Sequence, residues 1–196
     1  MYPRLEPPAV RAWRQAAAGE ATGRVLEIGI GPGLNLPFYR PGVELFGLDP
    51  DPAMLRYAKR RAAFLGFPLT LVRGEAERIP FPTGFFDGAV SIFAFCSVRR
   101  PEAAAREVFR VLRPGGRLFF LEHVRAEGEG WAFIQRLVTP PWSLLAGGCH
   151  LARDTLADFV RAGFVFEEPP RRLSGGLLPV RVGRALRPDR CFQKSP

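Results

Sequence analysis

Glu27, Gly29, Gly31 and Gly33 stand at every second position where an apolar run, Val25 to Ile28, breaks off. Asp49 ends a second apolar run, about twenty residues after the first glycine, which is the distance that matters for a nucleoside. Glycine lets the backbone turn sharply and lie against a ligand where a Cβ would collide. The amides of a helix that starts there can receive a negative group. A carboxylate at the position of Asp49 is placed to accept hydrogen bonds from two ribose hydroxyls. This is how an open parallel α/β sheet builds an adenosine site at the carboxyl ends of its first two strands.

The spacing also selects among nucleoside cofactors. A dinucleotide fingerprint has its third glycine three places after the second. Here that place is Leu34, and the third glycine comes one residue early, at Gly33. The phosphate-cradling GxxxxGK[ST] loop is absent too. Glu-x-Gly-x-Gly-x-Gly suits a ligand with no pyrophosphate and with an amino-acid head beside its ribose. S-adenosylmethionine fits: its carboxylate can meet backbone amides while Glu27 sits near its ammonium. A lone glycine-rich turn can be merely structural, and Asp49 at its remove argues otherwise. Further along, Glu75 can accept from an adenine amino group and the Ala76 amide can donate to a ring nitrogen. Met54, one turn into its helix, can pack on the adenine face. A surface acidic turn and a core methionine are the bland alternatives.

The elements that must hold these residues follow from periodicity and punctuation. A helix is expected over 8–19 and strands over 24–29, 43–48 and 69–73. A helix from about 33 is interrupted by Pro37. Asp51 before Pro52 caps a helix reaching Leu65. Phe86 to Phe95 is a continuous apolar run, hence a central strand buried on both faces. Pro101 opens a helix to Leu112, and Arg113-Pro114-Gly115-Gly116 ends it before a strand at 117–124. Residues 130–149 break the alternation, being aromatic and proline-rich, and read as an insertion with helical pieces. A helix at 153–162 and strands at 164–168 and 178–186 finish the chain. The expected fold class is α/β: a doubly wound, mostly parallel seven-stranded sheet, its last strand antiparallel. One domain is expected over 1–196, with helix 8–19 and insertion 128–152 covering an acceptor site.

The chain has 196 residues, 47% of them hydrophobic, which suffices for one well-cored domain. No apolar run approaches the length of a membrane helix, and the N-terminus does not read as a signal peptide. Cys96, Cys149 and Cys191 show neither a disulfide framework nor metal-ligand spacing, so no metal and a reduced, cytoplasmic setting are expected. The net charge of +9 is nearly all arginine, Lys59 and Lys194 being the only lysines. The arginines are dispersed and no aromatic–basic interleaving resembles an RNA-recognition motif, which argues against a nucleic-acid partner.

Several segments together carry a family resemblance: Val25 to Gly33, Gly47-Leu48-Asp49-Pro50, Gly74 to Phe81, Phe86-Asp87 to Val98, and Val111 to Gly116. With them the chain resembles the class I S-adenosylmethionine-dependent methyltransferases along essentially its whole length. Within them it looks like the ubiquinone/menaquinone-biosynthesis-type group, closest to a methyltransferase-like branch associated with small thiols and with membranes. That finer resemblance rests on Phe95-Cys96-Ser97-Val98, Leu112 to Gly116, Glu122-His123-Val124, Pro141-Trp142 with Gly148-Cys149, and a terminal strand after Leu173-Ser174. It implies that Glu27, Gly29, Gly31, Gly33 and Asn35 hold the methionine moiety and that Asp49, with Pro50 beside it, takes the ribose. Met54, Glu75 and Ala76 would take the adenine, and Phe93 and Cys96 would line the methyl side. S-adenosylhomocysteine would be the product. Two departures stand out. Glu75 replaces the group's usual Asp, and the hydrophobic N-terminal anchor of the membrane-attached relatives is missing. Membrane residence therefore does not carry over, although peripheral contact stays open.

Methyl transfer from a sulfonium demands proximity, alignment and exclusion of water, and needs a base only if the acceptor must lose a proton. No catalytic constellation is evident. His123, beside Glu122 on the ligand-binding edge, and His150 are the candidate bases, each with a structural alternative. Cys96 lacks the preceding proline of a pyrimidine-methylating nucleophile. Trp131, Trp142, Cys149 and His150 are the candidate acceptor-site residues, with Phe133 in the same aromatic insertion; these aromatics can equally serve to bury it. No Asn/Asp-Pro-Pro-Tyr/Phe motif and no acidic metal cluster is present. The reading is a methyltransferase for a small, fairly apolar thiol, phenol/quinol or amine. An RNA methyltransferase and a nucleoside-binding protein without catalysis are the alternatives. The oligomeric state is not legible.

Overall fold

The computed structural model describes residues 6–145 and 148–189. In chain order the elements are α1 (Pro8–Glu20), β1 (Arg24–Ile28), β2 (Glu44–Asp49), α2 (Pro52–Leu65), β3 (Leu69–Arg73), β4 (Phe86–Ile92) and α3 (Pro101–Val111). β5 (Leu112–His123), α4 (Glu129–Leu145), α5 (Thr155–Ala162), β6 (Val165–Phe166), β7 (Arg171–Ser174) and β8 (Val180–Leu186) follow. The sheet order is β3-β2-β1-β4-β5-β8-β6, with β7 also paired to β8. β1 to β5 are parallel, and β8 runs antiparallel to β5. Because β1 lies between β2 and β4, the winding direction reverses there. The crevice at that reversal is where such sheets bind ligands.

Strand and helix chemistry explain the architecture. Leu118 and Phe120 of β5 join one core with Val108 of α3 and Phe159 of α5, whereas Phe119 and Leu121 join the other with Ala17 of α1 and Ala58 of α2. A strand buried on both faces reads as an apolar run, as Leu118 to Leu121 of β5 does, and as β4 does apart from Asp87 and Ser91. Asp51 accepts the Ala53 amide at 2.7 Å and Pro52 occupies the first helical position, so α2 starts immediately behind the ribose-candidate acid.

Four sequence expectations need correction. The helix after Gly33 is only turns and a 3-10 segment at Leu36–Phe38, so no helix N-terminus faces the glycines. The strand expected from 117 begins at Leu112, which pairs with Phe86 ahead of a register shift. The insertion is one helix rather than pieces, although Pro140 and Pro141 each remove a backbone donor. Within it the Thr139 and Ser143 hydroxyls donate to the Gln135 and Pro140 carbonyls at 2.6 and 2.9 Å. The sheet has eight strands, not seven. β7 carries Arg171-Arg172-Leu173-Ser174, a segment without alternation that leaves both arginines exposed at the sheet's edge.

Candidate functional site

A cleft of about 650 Å³ opens at the carboxyl ends of β1, β2 and β4. Gly29 and Gly31, Asp49 and Pro50, Met54, Glu75, Ala76 and Phe93 all line it. The glycine turn needs its glycines: at Gly29 φ is +61°, and an added Cβ would lie 2.8 Å from the Ala94 Cβ. The first turn thereby lies against the exit of β4. Asp49 Oδ2 accepts the Gly31 amide at 2.9 Å and Oδ1 accepts the Asp51 amide at 2.9 Å. A carboxylate has about four lone-pair sites, so two hydroxyls can still be accepted. The nucleoside half of S-adenosylmethionine is matched by residues of the right type on three strand ends. Glu77, Ser97, Val98 and Arg99 also line the cleft, although none of them is singled out from the sequence as a site residue.

Glu27, Gly33 and Asn35 lie behind the cleft instead of lining it. Glu27 is buried at the end of β1, where Oε1 accepts from Asn35 Nδ2 and Oε2 from the Tyr39 hydroxyl, both at 2.8 Å. Arg14 of α1 donates to Asn35 Oδ1 at 2.7 Å and pairs with Glu6. Each Glu27 oxygen thus has one partner from the turn that follows β1, and the carboxylate ties Asn35 and Tyr39 to the strand end. Burial pushes the Glu27 carboxyl up to about 7, against the hydrogen bonds from Tyr39 and Asn35. Arg14 and Tyr39 carried no sequence signal, since each acts through a partner distant in the chain.

The β4 exit is organised by a second buried acid. Glu122 accepts the Ser91 hydroxyl at 2.7 Å, the Ala94 amide at 3.1 Å and the Cys96 amide at 3.4 Å. Its carboxyl is likewise raised, to about 7, by burial. The turn it holds contains Phe93, the one non-glycine residue with positive φ (57°) among the described residues. Such a backbone costs on the order of 1–3 kcal/mol and is kept where surroundings enforce it. Phe93 stacks on His123, ring centroids 4.7 Å apart, while lining the cleft.

Behind Phe93 the chain brings together residues far apart in sequence. Cys96 and Cys149 are buried with Leu151, and Phe93, Val138, Trp142 and Leu178 pack on them. The Cys149 sulfur is 3.6 Å from His123 Nδ1. Cys149 is held well below the ordinary thiol range by the Cys96 thiol donating to it, with His123 and Trp142 adding to this. Cys96 is raised by the same contact and by burial. Trp142 packs on this cluster, on the far side of Phe93 from the cleft lining. Trp131 does not: it is half exposed and lines a separate small groove with Arg172 and Arg181. Phe133 is exposed as well. His150 is exposed, donates its amide to the Cys96 carbonyl at 2.7 Å and lines a shallow groove with Arg136 and Arg153. Cys96 flanks the cleft without lining it.

The fold and cleft define a class I methyltransferase architecture, and similarity to known proteins agrees. The Methyltransferase domain family matches residues 26–120. The chain is 37% identical over 172 residues to the demethylmenaquinone methyltransferase of Deinococcus radiodurans, covering 82% of this chain and 70% of that protein. It is also 37% identical over 144 residues to the human thiol S-methyltransferase TMT1A, covering 71% of this chain and 59% of that protein. It thus spans about three-fifths of the human thiol methyltransferases it matches. The crystal structure of the YcgJ protein from Bacillus subtilis superposes with a TM-score of 0.77 at 19% identity, covering 92% of this chain and 98% of that one. The chain belongs to the class I S-adenosylmethionine-dependent methyltransferases.

Proposed function

We propose that this protein methylates a small, fairly apolar acceptor, a thiol, phenol/quinol or amine. The observation that carries the reading is the cleft in which Asp49, the Gly29–Gly31 turn and Glu75-Ala76 converge on a volume closed at one end by Phe93. S-adenosylmethionine would supply an electrophilic methyl group there. Asp49 would take its ribose, Met54, Glu75 and Ala76 its adenine, and the glycine turn its amino-acid end, with Phe93 beside the methyl. Glu27 and Asn35 would act by fixing the turn. Alignment and exclusion of water then accelerate an in-line displacement without a catalytic base. Trp142 and Cys149 would border the acceptor.

Support for a small acceptor comes from the relatives, whose names specify thiols and demethylmenaquinone, and from the surface charge. Every ion pair among the described residues uses an arginine, so part of the positive charge is already neutralised within the chain. No helix among the described residues is long and apolar enough to cross a membrane. We place the activity in the cytoplasm, in residues 1–196 acting as one unit. The test is transfer of labelled methyl to a panel of thiols, quinols, phenols and amines, with bulk RNA alongside. Label in one small-molecule class is the expected result. Label in RNA, with binding that weakens steeply with salt, would overturn the small-acceptor reading. Cofactor binding without transfer to any class would leave a nucleoside-binding protein.

A further inference from the structure

Cys96 at the β4 exit, His123 at the end of β5 and Cys149 after α4 place their ligand-type atoms within 4.8 Å of one another. We propose that these three side chains form a binding site for Zn²⁺, with three protein ligands and one open coordination position. The sequence spacing announces no such site, since the three residues are brought together only by the sheet and the insertion.

The geometry suits the ion. Zinc bonds of about 2.3 Å to sulfur and about 2.0–2.1 Å to nitrogen, at the tetrahedral angle, separate the two ligand atoms by about 3.6 Å. The Cys149 sulfur and His123 Nδ1 are 3.6 Å apart. Two sulfurs and an imidazole select zinc over magnesium or calcium, which take oxygen donors. Both cysteines are buried and the histidine is half-buried, so little side-chain ordering remains to be done on binding.

A supporting layer is in place as well. The Trp142 indole N–H is buried with no hydrogen-bond partner, beside Cys149, whose thiolate form its proximity favours. The Ser97 hydroxyl lies 3.8 Å from the Cys96 sulfur, and the Cys96 amide is fixed by Glu122. Such groups orient ligands and tune a metal. Two thiolates offset the divalent ion; the other ionisable groups facing the site are the buried Glu122, Arg153, which donates to the Phe95 and Val98 carbonyls, and His150 at the rim. Binding takes both sulfurs as thiolates and releases whatever thiol protons they carry to solvent; no oxidation or reduction is involved. Three protein ligands with a free fourth position is the pattern of a reactive rather than a purely structural zinc. The Phe93 ring, stacked on His123, both lines the cofactor cleft and packs on the cysteine cluster.

The test uses the full chain and the metal alone, and it is independent of any methyl-transfer assay. Protein purified from zinc-supplemented medium should carry one zinc per chain by elemental analysis. Co²⁺ exchanged into it should give the intense near-ultraviolet charge-transfer band of thiolate ligation. Cys149→Ser and His123→Ala should each lower zinc affinity more than tenfold, and Trp142→Phe, which keeps the ring and removes the N–H, about tenfold. Cys191→Ser should change nothing. A folded wild-type chain with no zinc and no thiolate–cobalt band would overturn the proposal. So would zinc whose affinity is indifferent to His123→Ala and Cys149→Ser. A Cys96–Cys149 disulfide in the freshly isolated protein, seen as a mass two daltons light that reductant restores, would overturn it too (each lost thiol hydrogen weighs about one dalton, and exchange with reductant is the expected recovery).

Discussion

Asp49 accepts the Gly31 amide at 2.9 Å, which makes the acid ending β2 and the turn leaving β1 a single hydrogen-bonded unit. The residue expected to read the ribose therefore also closes the loop that must lie under the rest of the ligand. Binding and loop geometry depend on the same carboxylate.

Asp49→Ala should weaken cofactor binding about tenfold or more, because a charged hydrogen-bond acceptor contributes on the order of 1.5–3 kcal/mol. Calorimetry with S-adenosylhomocysteine measures this directly. Unchanged affinity in a folded variant would remove Asp49 from the ribose.

Gly29→Ala tests the cradle. The new methyl would meet Ala94 Cβ at 2.8 Å on a backbone with φ of +61°. A loss of about 1–3 kcal/mol in stability is expected, with cofactor affinity falling alongside. Gly42→Ala is the control, since φ there is +88° but nothing lies within 4 Å. It should lose stability through backbone strain alone and keep its cofactor affinity. Equal binding losses in both would discard the close-approach argument.

Glu27 makes stability fall with rising pH. Its folded value of about 7 exceeds the ordinary 4.5, so the folded chain holds a proton that the unfolded chain has released. Its stabilising contribution is complete below about pH 4.5 and is lost as pH rises through 7, by about 3 kcal/mol. Denaturant melts of wild type and Glu27→Gln at pH 5 and pH 8 isolate it. The variant should show the smaller difference, and parallel behaviour would refute the assignment.

Trp142→Ala should impair turnover of an identified acceptor far more than it impairs cofactor binding, because the indole packs on Cys96, Cys149 and Leu151 rather than on the nucleoside cleft. Paired acceptor kinetics and cofactor calorimetry decide. Equal losses in both, or none in either, would assign Trp142 to packing alone.

The cofactor half of the site was legible because its residues are local: each strand ends, a glycine or acid follows, and the next element starts. Asp49, Met54, Glu75 and Ala76 needed only that rule. What escaped was whatever depends on pairing across the chain. Arg14 reaches Asn35 from another helix, and Glu122 gathers donors from the β4 exit. Cys96, His123 and Cys149 meet only once β5 and the insertion are folded. The helix expected after Gly33 failed because Pro37 and the buried Asn35–Glu27 contact favour a tight turn there. β7 escaped because an edge segment with exposed arginines has no apolar period to read.

The reversed direction of β8 has one more consequence. Val180 pairs with His123, so this strand begins, rather than ends, at the ligand-binding rim. Leu178 packs on the cysteine cluster, and the Leu177 carbonyl accepts from Gln135 of α4. The loop from β7 to β8 and helix α4 therefore form a facing that meets the nucleoside cradle at the β4 exit, where Phe93 lines the cleft and packs with Val138, Trp142 and Leu178 on the cysteine cluster. The residues that line the cradle all fall between Ile28 and Arg99, whereas the facing is drawn from residues 129 onward. The cradle and its facing are thus contributed by separate stretches of the chain, joined where β4 gives way to the Phe93 turn.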